Sequence, residues 1–419
     1  MSYLFCVLLL FISFLSSIQN SFAQTHKIWY VDNIKDKVIG DGTEENPIRD
    51  LQYAFDQAAD GDTIFIFPGI YQAEPEEYIE ELCGNCQEHK TRVNASKGFL
   101  IQGKGLNIIG SGKDRTILVT NAGYGVLLEN SRNSLIADLK ITGGKRDPDG
   151  NATDAGIVVK YSTVTIKDVE ISDNIHQIDD VVVGIGGVFG RENSEIFILN
   201  NLIQNNGWDG VALYRGATAY MADNIICDGR GAGIGITWDA VATVYRNKIS
   251  GYWKGIGTFG NSRAVVRNNL VHENLGWGVI ATGTSYMDAS NNVIIRNGNC
   301  GFAVWSLECR GICTNNIVTE NGWRKEWVCP CVGVWATEIN PNFSITYNDV
   351  WNNIAGNYKD MPDLTEQNGN LSVDPSFVSQ NDFHLKSDSP LMDQGNPLLS
   401  DPDGTISDPG IYGGPNARR

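Results

Sequence analysis

Short runs of alternating apolar and polar residues fill most of this chain, and a glycine resets each run. Gly125-Val-Leu-Leu is followed by Gly156-Ile-Val-Val, Gly187-Val-Phe, Gly210-Val-Ala-Leu, Gly233-Ile-Gly-Ile, Gly255-Ile-Gly, Gly278-Val-Ile, Gly301-Phe-Ala-Val and Gly333-Val-Trp. The intervals are 31, 31, 23, 23, 22, 23, 23 and 32 residues. A second register runs alongside, with Asn201, Asn224, Asn247, Asn269, Asn292, Asn316 and Asn348 each closely followed by Ile, Leu or Val. Leu139 and Val169 hold the matching place in two earlier repeats.

The period-two runs and β-branched residues predict strands, with Gly, Asn and Asp marking turns between them. A repeat of about 22 to 24 residues suits three short strands and three turns, one coil of a parallel β-helix. Glycine serves a turn needing positive φ or a close backbone approach. Asparagine tolerates the left-handed conformation, and its amide can bond the same amide one coil away. Leucine-rich-repeat spacing is absent, and propeller blades need about 40 residues or more. At the N-terminal end, Leu51, Phe55 and Ala58 have helical spacing, predicting a short amphipathic helix over the first open coil. Past Asn348 the period is lost and prolines concentrate, predicting an irregular C-terminal cover. The expected organisation is a leader over 1–23, cap and first coils over 24–120, regular coils over 121–355 and a C-terminal cap over 356–419.

Residues 1–23 are apolar, carry no charged side chain and end in Ser21-Phe22-Ala23, the pattern of a secretory signal peptide cleaved before Gln24. A membrane anchor is the competing reading; the polar stretch from Asn20 favours cleavage. The protein is therefore expected to be secreted, periplasmic or at the cell surface, and monomeric. A net charge of −17 argues against nucleic acid and anionic membrane as partners, since both require a basic face. Past the leader stand Cys83, Cys86, Cys227, Cys300, Cys309, Cys313, Cys329 and Cys331, an even set that predicts disulfides in an exported protein.

The stretch from Trp29-Tyr-Val-Asp through GDGTEENP to DGDTIFIFPGIY resembles the N-terminal segment of the pectate-lyase-like superfamily of right-handed β-helix proteins. The tail DFHLKSDSPLMDQGNP with DPDGTISDPGIYGGP resembles the closing segment of many exported members. The resemblance implies a single-domain, all-β right-handed parallel β-helix. Members include polysaccharide lyases, glycoside hydrolases, uronan epimerases and proteins without activity. The epimerase DPH motif, the polygalacturonase motifs and the chondroitinase-type Lys and Arg motifs do not occur in this chain.

Alternation assigns the faces: the first and third residues after each glycine point into the core, the second and fourth outward. The fourth-position column reads Glu129, Lys160, Arg191, Tyr214, Thr237, Phe259, Thr282, Trp305 and Thr337, with neighbours about 4.8 Å apart. Its charged end gives candidate catalytic residues Lys160 and Arg191 as base or carboxylate clamp, Tyr214 as acid, and Glu129 beside them. Alternatively these form a salt-bridge ladder on a solvated sheet face. Trp208, Trp253, Phe259, Trp277, Trp305 and Trp335 form a candidate sugar-stacking stripe. Asp147, Asp149, Asn151 and Asp154 place oxygen ligands around a glycine, suiting calcium, and Asp209 loosely matches the Asp-Gly ligands of one pectate lyase family. The leading expectation is a calcium-assisted polysaccharide lyase. The alternatives are a hydrolase drawing carboxylates from Glu129, Asp154, Asp179, Asp180, Asp209 and Asp239, or a non-catalytic carbohydrate-binding protein.

Overall fold

The computed structural model describes residues 26–34, 40–82, 91–147, 154–175, 184–338 and 340–418. The leader and the loops carrying Cys83, Cys86, Asp149, Asn151, His176, Asp179 and Asp180 lie outside these residues. Among the described residues no helix is long and apolar enough to cross a membrane.

Three long sheets wind around one apolar core, with 12, 11 and 12 strands. Sheet I runs from Ile28–Val31 to Phe343–Thr346, sheet II from Gly69–Gln72 to Asp349–Trp351, and sheet III from Val93–Gln102 to Tyr358–Lys359. Each strand pairs in parallel with its counterpart one coil away; one exception is Glu76–Glu80, antiparallel to Val93–Gln102 in sheet III. The core is filled by stacked Val, Ile, Leu and Ala with essentially no exposure. The chain is thus a single-domain right-handed parallel β-helix.

The glycine register is a tenth coil longer than the sequence suggested, because Gly98 stands beside Gly125. These glycines are required by close approach. A Cβ on Gly125, Gly210, Gly233, Gly255 or Gly278 would lie 2.5–2.7 Å from the next coil's glycine carbonyl oxygen. The asparagines differ from expectation as well. The left-handed residue is the one before each ladder asparagine, namely Asn200, Asp223, Arg246, Asn268, Asn291, Asn315 and Tyr347. That turn aims the following asparagine inward. Asn201 through Asn348 then form a chain in which each Oδ1 accepts the previous coil's backbone N–H and Nδ2–H, continuing to Asn370. A second ladder, Asn274–Asn297–Asn321–Asn353, lines the turn between sheets II and III.

The helix Leu51–Gln57 forms where predicted, its first turn capped by Asp50 accepting from the Tyr53 N–H, with Leu51, Ala54 and Phe55 buried. Met361 and Leu364 pack on the far end of the core. The rest of the tail is less an end cap than a side cover. Phe377, Phe383, Leu391 and Ile411 pack against Leu270, Val293, Ile295 and Ile317, apolar residues on the outside of sheet II that need shielding from water.

The disulfide framework expected from the even cysteine count is not formed among the described residues. Cys227, Cys300, Cys309, Cys313, Cys329 and Cys331 are free thiols, with Cys300 and Cys329 sulfurs 3.4 Å apart.

Candidate functional site on sheet III

The outer face of sheet III carries three columns, at the position before each glycine and at the second and fourth positions after it. The second and fourth positions face outward as alternation predicts, and the position before each glycine, whose parity would turn it inward, joins the apolar clusters outside the coil at Tyr124, Ala155, Trp277, Cys300 and Val332. The second column reads Leu127, Val158, Phe189, Ala212, Gly235, Gly257, Ile280, Ala303 and Trp335, in continuous register. It is apolar at both ends and bare in the middle, and that divides the face into three zones.

In the first zone the strand Glu76–Glu80 closes over the sheet. Tyr78, Val93 and Ala95 pack with Leu127, Val158, Phe189 and Tyr214 into a second apolar cluster outside the coil. Glu80, which the sequence did not single out, reaches into it. Its Oε2 takes hydrogen bonds from Lys160 Nζ at 2.9 Å and from an Arg191 guanidinium nitrogen at 2.8 Å. Lys160 also pairs with Glu129 at 2.9 Å, and Arg191 donates to Tyr124 Oη and the Leu82 carbonyl. Burial acts to raise the Glu80 carboxyl, but Arg191 and Lys160 outweigh it and hold the group below its usual range. The structure therefore brings Glu129, Lys160 and Arg191 together as predicted but corrects their setting. Lys160 and Arg191 are 4% and 0% exposed, neither a solvated ladder nor open to a polymer. They hold the hairpin down.

The third zone contains the aromatic stripe. Trp253 meets Trp277 at 5.8 Å, Trp277 meets Trp305 at 5.6 Å and Trp305 meets Trp335 at 5.2 Å between ring centroids. Trp327 closes on Trp253 at 4.8 Å, and the Arg324 guanidinium lies 5.0 Å over the same ring. The contact is mostly edge-on, and Trp277 and Trp335 are buried with Cys300, Cys329 and Val332. That corrects the expectation of an open row of flat faces. Only the half-buried Trp253, Phe259 and Trp305 of this stripe present surface, while Trp208 stands 48% exposed beside the middle zone.

The middle zone lies between these clusters. Gly235 and Gly257 are adjacent on neighbouring strands; the nearest atom to a Cβ on Gly235 would be 3.6 Å away, whereas the Phe259 ring lies over Gly257, 2.7 Å from where its Cβ would stand. Phe189, Tyr214 and Trp238 wall one side; Ile280, Trp277 and Phe259 wall the other. Asp209 and Lys254 reach it from the column before the glycines. Asp209 Oδ1 accepts the Ala232 N–H at 2.6 Å, and a Cβ on Gly235 would stand 3.7 Å from Oδ2. Burial pushes the Asp209 carboxyl up to about 6, against the Ala232 N–H and the Lys254 charge, which both favour ionisation. Lys254 is half-buried with Nζ 5.2 Å from the Phe259 ring centre; burial lowers its pKa and Asp209 opposes that shift. Burial raises the Tyr214 hydroxyl well above the ordinary phenol value, with Asp209 adding to the shift.

The expected calcium ligands are divided. Asp147 and Asp154 come together at the start of the first-zone strands, both buried, and burial followed by the Asp147 charge raises Asp154 well above its ordinary value. Asp209 sits two coils further along and is not part of that pair. Asp239 is exposed, accepting the Gly216 N–H at 2.7 Å, away from Gly235.

This architecture defines a right-handed parallel β-helix. The model of the right handed beta helix region matches residues 84–238 and 186–350, more than half of the chain, and the protein belongs to that family. Among solved structures, pectate lyase Pel9A aligns with 94% of this chain and 97% of its own, at 14% identity and a TM-score of 0.52. The A-module of the mannuronan C-5 epimerase AlgE6 of Azotobacter vinelandii covers 78% of this chain and 96% of its own, at 14% identity and a TM-score of 0.44. No curated protein matches the chain by sequence.

Proposed function

We propose that this protein is an exported polysaccharide lyase that holds an acidic polysaccharide across Gly235 and cleaves it by β-elimination. The observation that carries the reading is Asp209 and Lys254 set together over Gly235 and Gly257. There, one carboxyl is raised into the neutral range and one ammonium is partly desolvated. Gly235, with the Phe259 ring lying over the neighbouring Gly257 and aromatic side chains on either side, suits a flat sugar ring, with exposed Trp208 extending the platform. Asp209 as carboxylate takes the proton α to the uronate carboxyl group. Lys254 as ammonium neutralises the charge that builds on that carboxyl group. The C–O bond to the leaving sugar breaks as the C=C bond forms, and the Tyr214 hydroxyl protonates the departing oxygen. Asp209 then returns its proton through water to Tyr214, restoring both groups. Pel9A is a pectate lyase, so the fold has carried this reaction elsewhere. The uncharged apolar leader supports export.

Acidic polysaccharides incubated with the full chain should yield an unsaturated product absorbing in the ultraviolet. Asp209→Asn and Lys254→Ala should each lower the rate about 100-fold or more with the circular dichroism unchanged. The rate should climb as pH rises through about 6, because the base works ionised. New reducing ends without absorbance, or full activity in Asp209→Asn, would sink the assignment.

A further inference from the structure

The outer face of sheet I carries a group of side chains that this reaction does not use. Arg263, Tyr286 and Arg310 open three successive strands, Arg263–Arg267, Tyr286–Ser290 and Arg310–Thr314, and stand side by side in register. All three are exposed. Asp239, Asn261 and Thr284, from the turns that lead out of sheet III, border them, and together they line a groove of about 430 Å³.

Charge sets this group apart. The chain has 49 acidic against 32 basic residues, so an arginine on its surface has many carboxylates to meet. Arg215, Arg246, Arg267 and Arg296 each pair with a carboxylate one coil away. Among the described residues, neither the Arg263 nor the Arg310 guanidinium makes a hydrogen bond or an ion pair. Asp239 gives one oxygen to the Gly216 N–H at 2.7 Å and pairs with neither arginine. Two cations are therefore left open in an acidic protein, on either side of an exposed phenol ring.

Neighbouring strands lie about 4.8 Å apart, so the two arginines spring from points about 10 Å apart, close to the length of a disaccharide. A guanidinium forks onto a carboxylate, and an aromatic ring takes the apolar face of a pyranose. Asn261, Thr284 and Asp239 offer oxygens that accept from sugar hydroxyls. Asp239 would repel a phosphate chain, so the set fits a carboxylated sugar better than a polyphosphate. We propose that Arg263, Tyr286 and Arg310 form a second carbohydrate site, where the two arginines clamp uronate carboxylates of an acidic polysaccharide. It lies on a different sheet from Asp209 and Lys254 and retains the polymer without taking part in its cleavage. It rests on the sheet III reading only for the class of polymer.

The test is calorimetric titration of the full chain carrying Asp209→Asn, which slows cleavage, with hexagalacturonate and with hexamannuronate. At least one should bind, and adding Arg263→Gln with Arg310→Gln should weaken one site about tenfold or more. The Tm should not move, because neither side chain holds the fold. Gly235→Leu should leave the arginine-dependent site intact. Binding there should weaken as sodium chloride rises from about 50 to 500 mM, and neutral maltohexaose should not compete. Titrations unchanged by the double substitution, or no binding of either oligosaccharide, overturn the inference. Arginine-dependent binding without unsaturated product from the native chain would instead overturn the sheet III reading alone.

Discussion

At the scale of single residues, two glycines of this chain do opposite jobs although they are two positions apart. Gly233 faces the core turn, where a Cβ would meet the Gly255 carbonyl oxygen at 2.7 Å and clash with Ile249. Gly235 faces outward, where the nearest atoms to a Cβ are 3.6 Å and 3.7 Å away. Gly233→Ala should therefore cost about 2–4 kcal/mol of stability in a urea titration. Gly235→Leu should leave the melting temperature nearly unchanged yet weaken oligosaccharide binding on sheet III about tenfold or more, because it fills the space over that glycine. A Gly235→Leu protein that binds normally would place the ligand elsewhere. The residue scale also shows what counting from the glycine missed. Lys254 stands one position before its glycine, in a column never read as a column, and Glu80 comes from outside the repeat altogether.

The elements are held by polar ladders inside an apolar coil. Asn269 Oδ1 accepts the Asn247 N–H at 2.9 Å and its Nδ2–H at 3.1 Å, while Asn269 itself donates to Asn292 and the Val244 carbonyl. Each rung satisfies its neighbour, so removing one strands several buried groups at once. Asn269→Ala should destabilise by about 2–5 kcal/mol, more than an isolated side-chain hydrogen bond would account for. Hydrogen exchange should show the loss centred on the turns at Asn247 and Asn292. A cost near zero would mean that water replaces the rung. The ladder itself was legible as a period in the sequence. Its geometry was not, because the left-handed turn sits one residue earlier, and only backbone angles reveal that.

For the whole molecule the solenoid behaves as a one-dimensional stack whose sides, as well as ends, need cover. Two segments foreign to the repeat provide it: the Glu76–Glu80 hairpin over the first part of sheet III and the tail over sheet II. Deleting residues 371–419 should expose Leu270, Val293, Ile295 and Ile317. The shortened chain should then melt lower and self-associate in light scattering while keeping its β-sheet spectrum. If it stays monomeric with an unchanged Tm, the tail is dispensable.

The sequence by itself determined the coil, its period, the inward and outward columns and the capping helix. Each of those follows from local chemistry repeated at fixed spacing, where one coil sees only the next. The uneven second column, apolar at Leu127, Val158 and Phe189 and bare at Gly235 and Gly257, was also there to be read as covered and open ground. What only the tertiary structure decided was which outward residues meet water. Lys160 and Arg191 look like open catalytic groups until Glu80, 80 and 111 residues away along the chain, folds across them. Asp209 and Lys254 become a pair because two coils stack them beside Gly235, where the nearest atom to a Cβ is 3.6 Å away. Burial and charge balance come from contacts between distant segments, and no periodicity within one repeat encodes those.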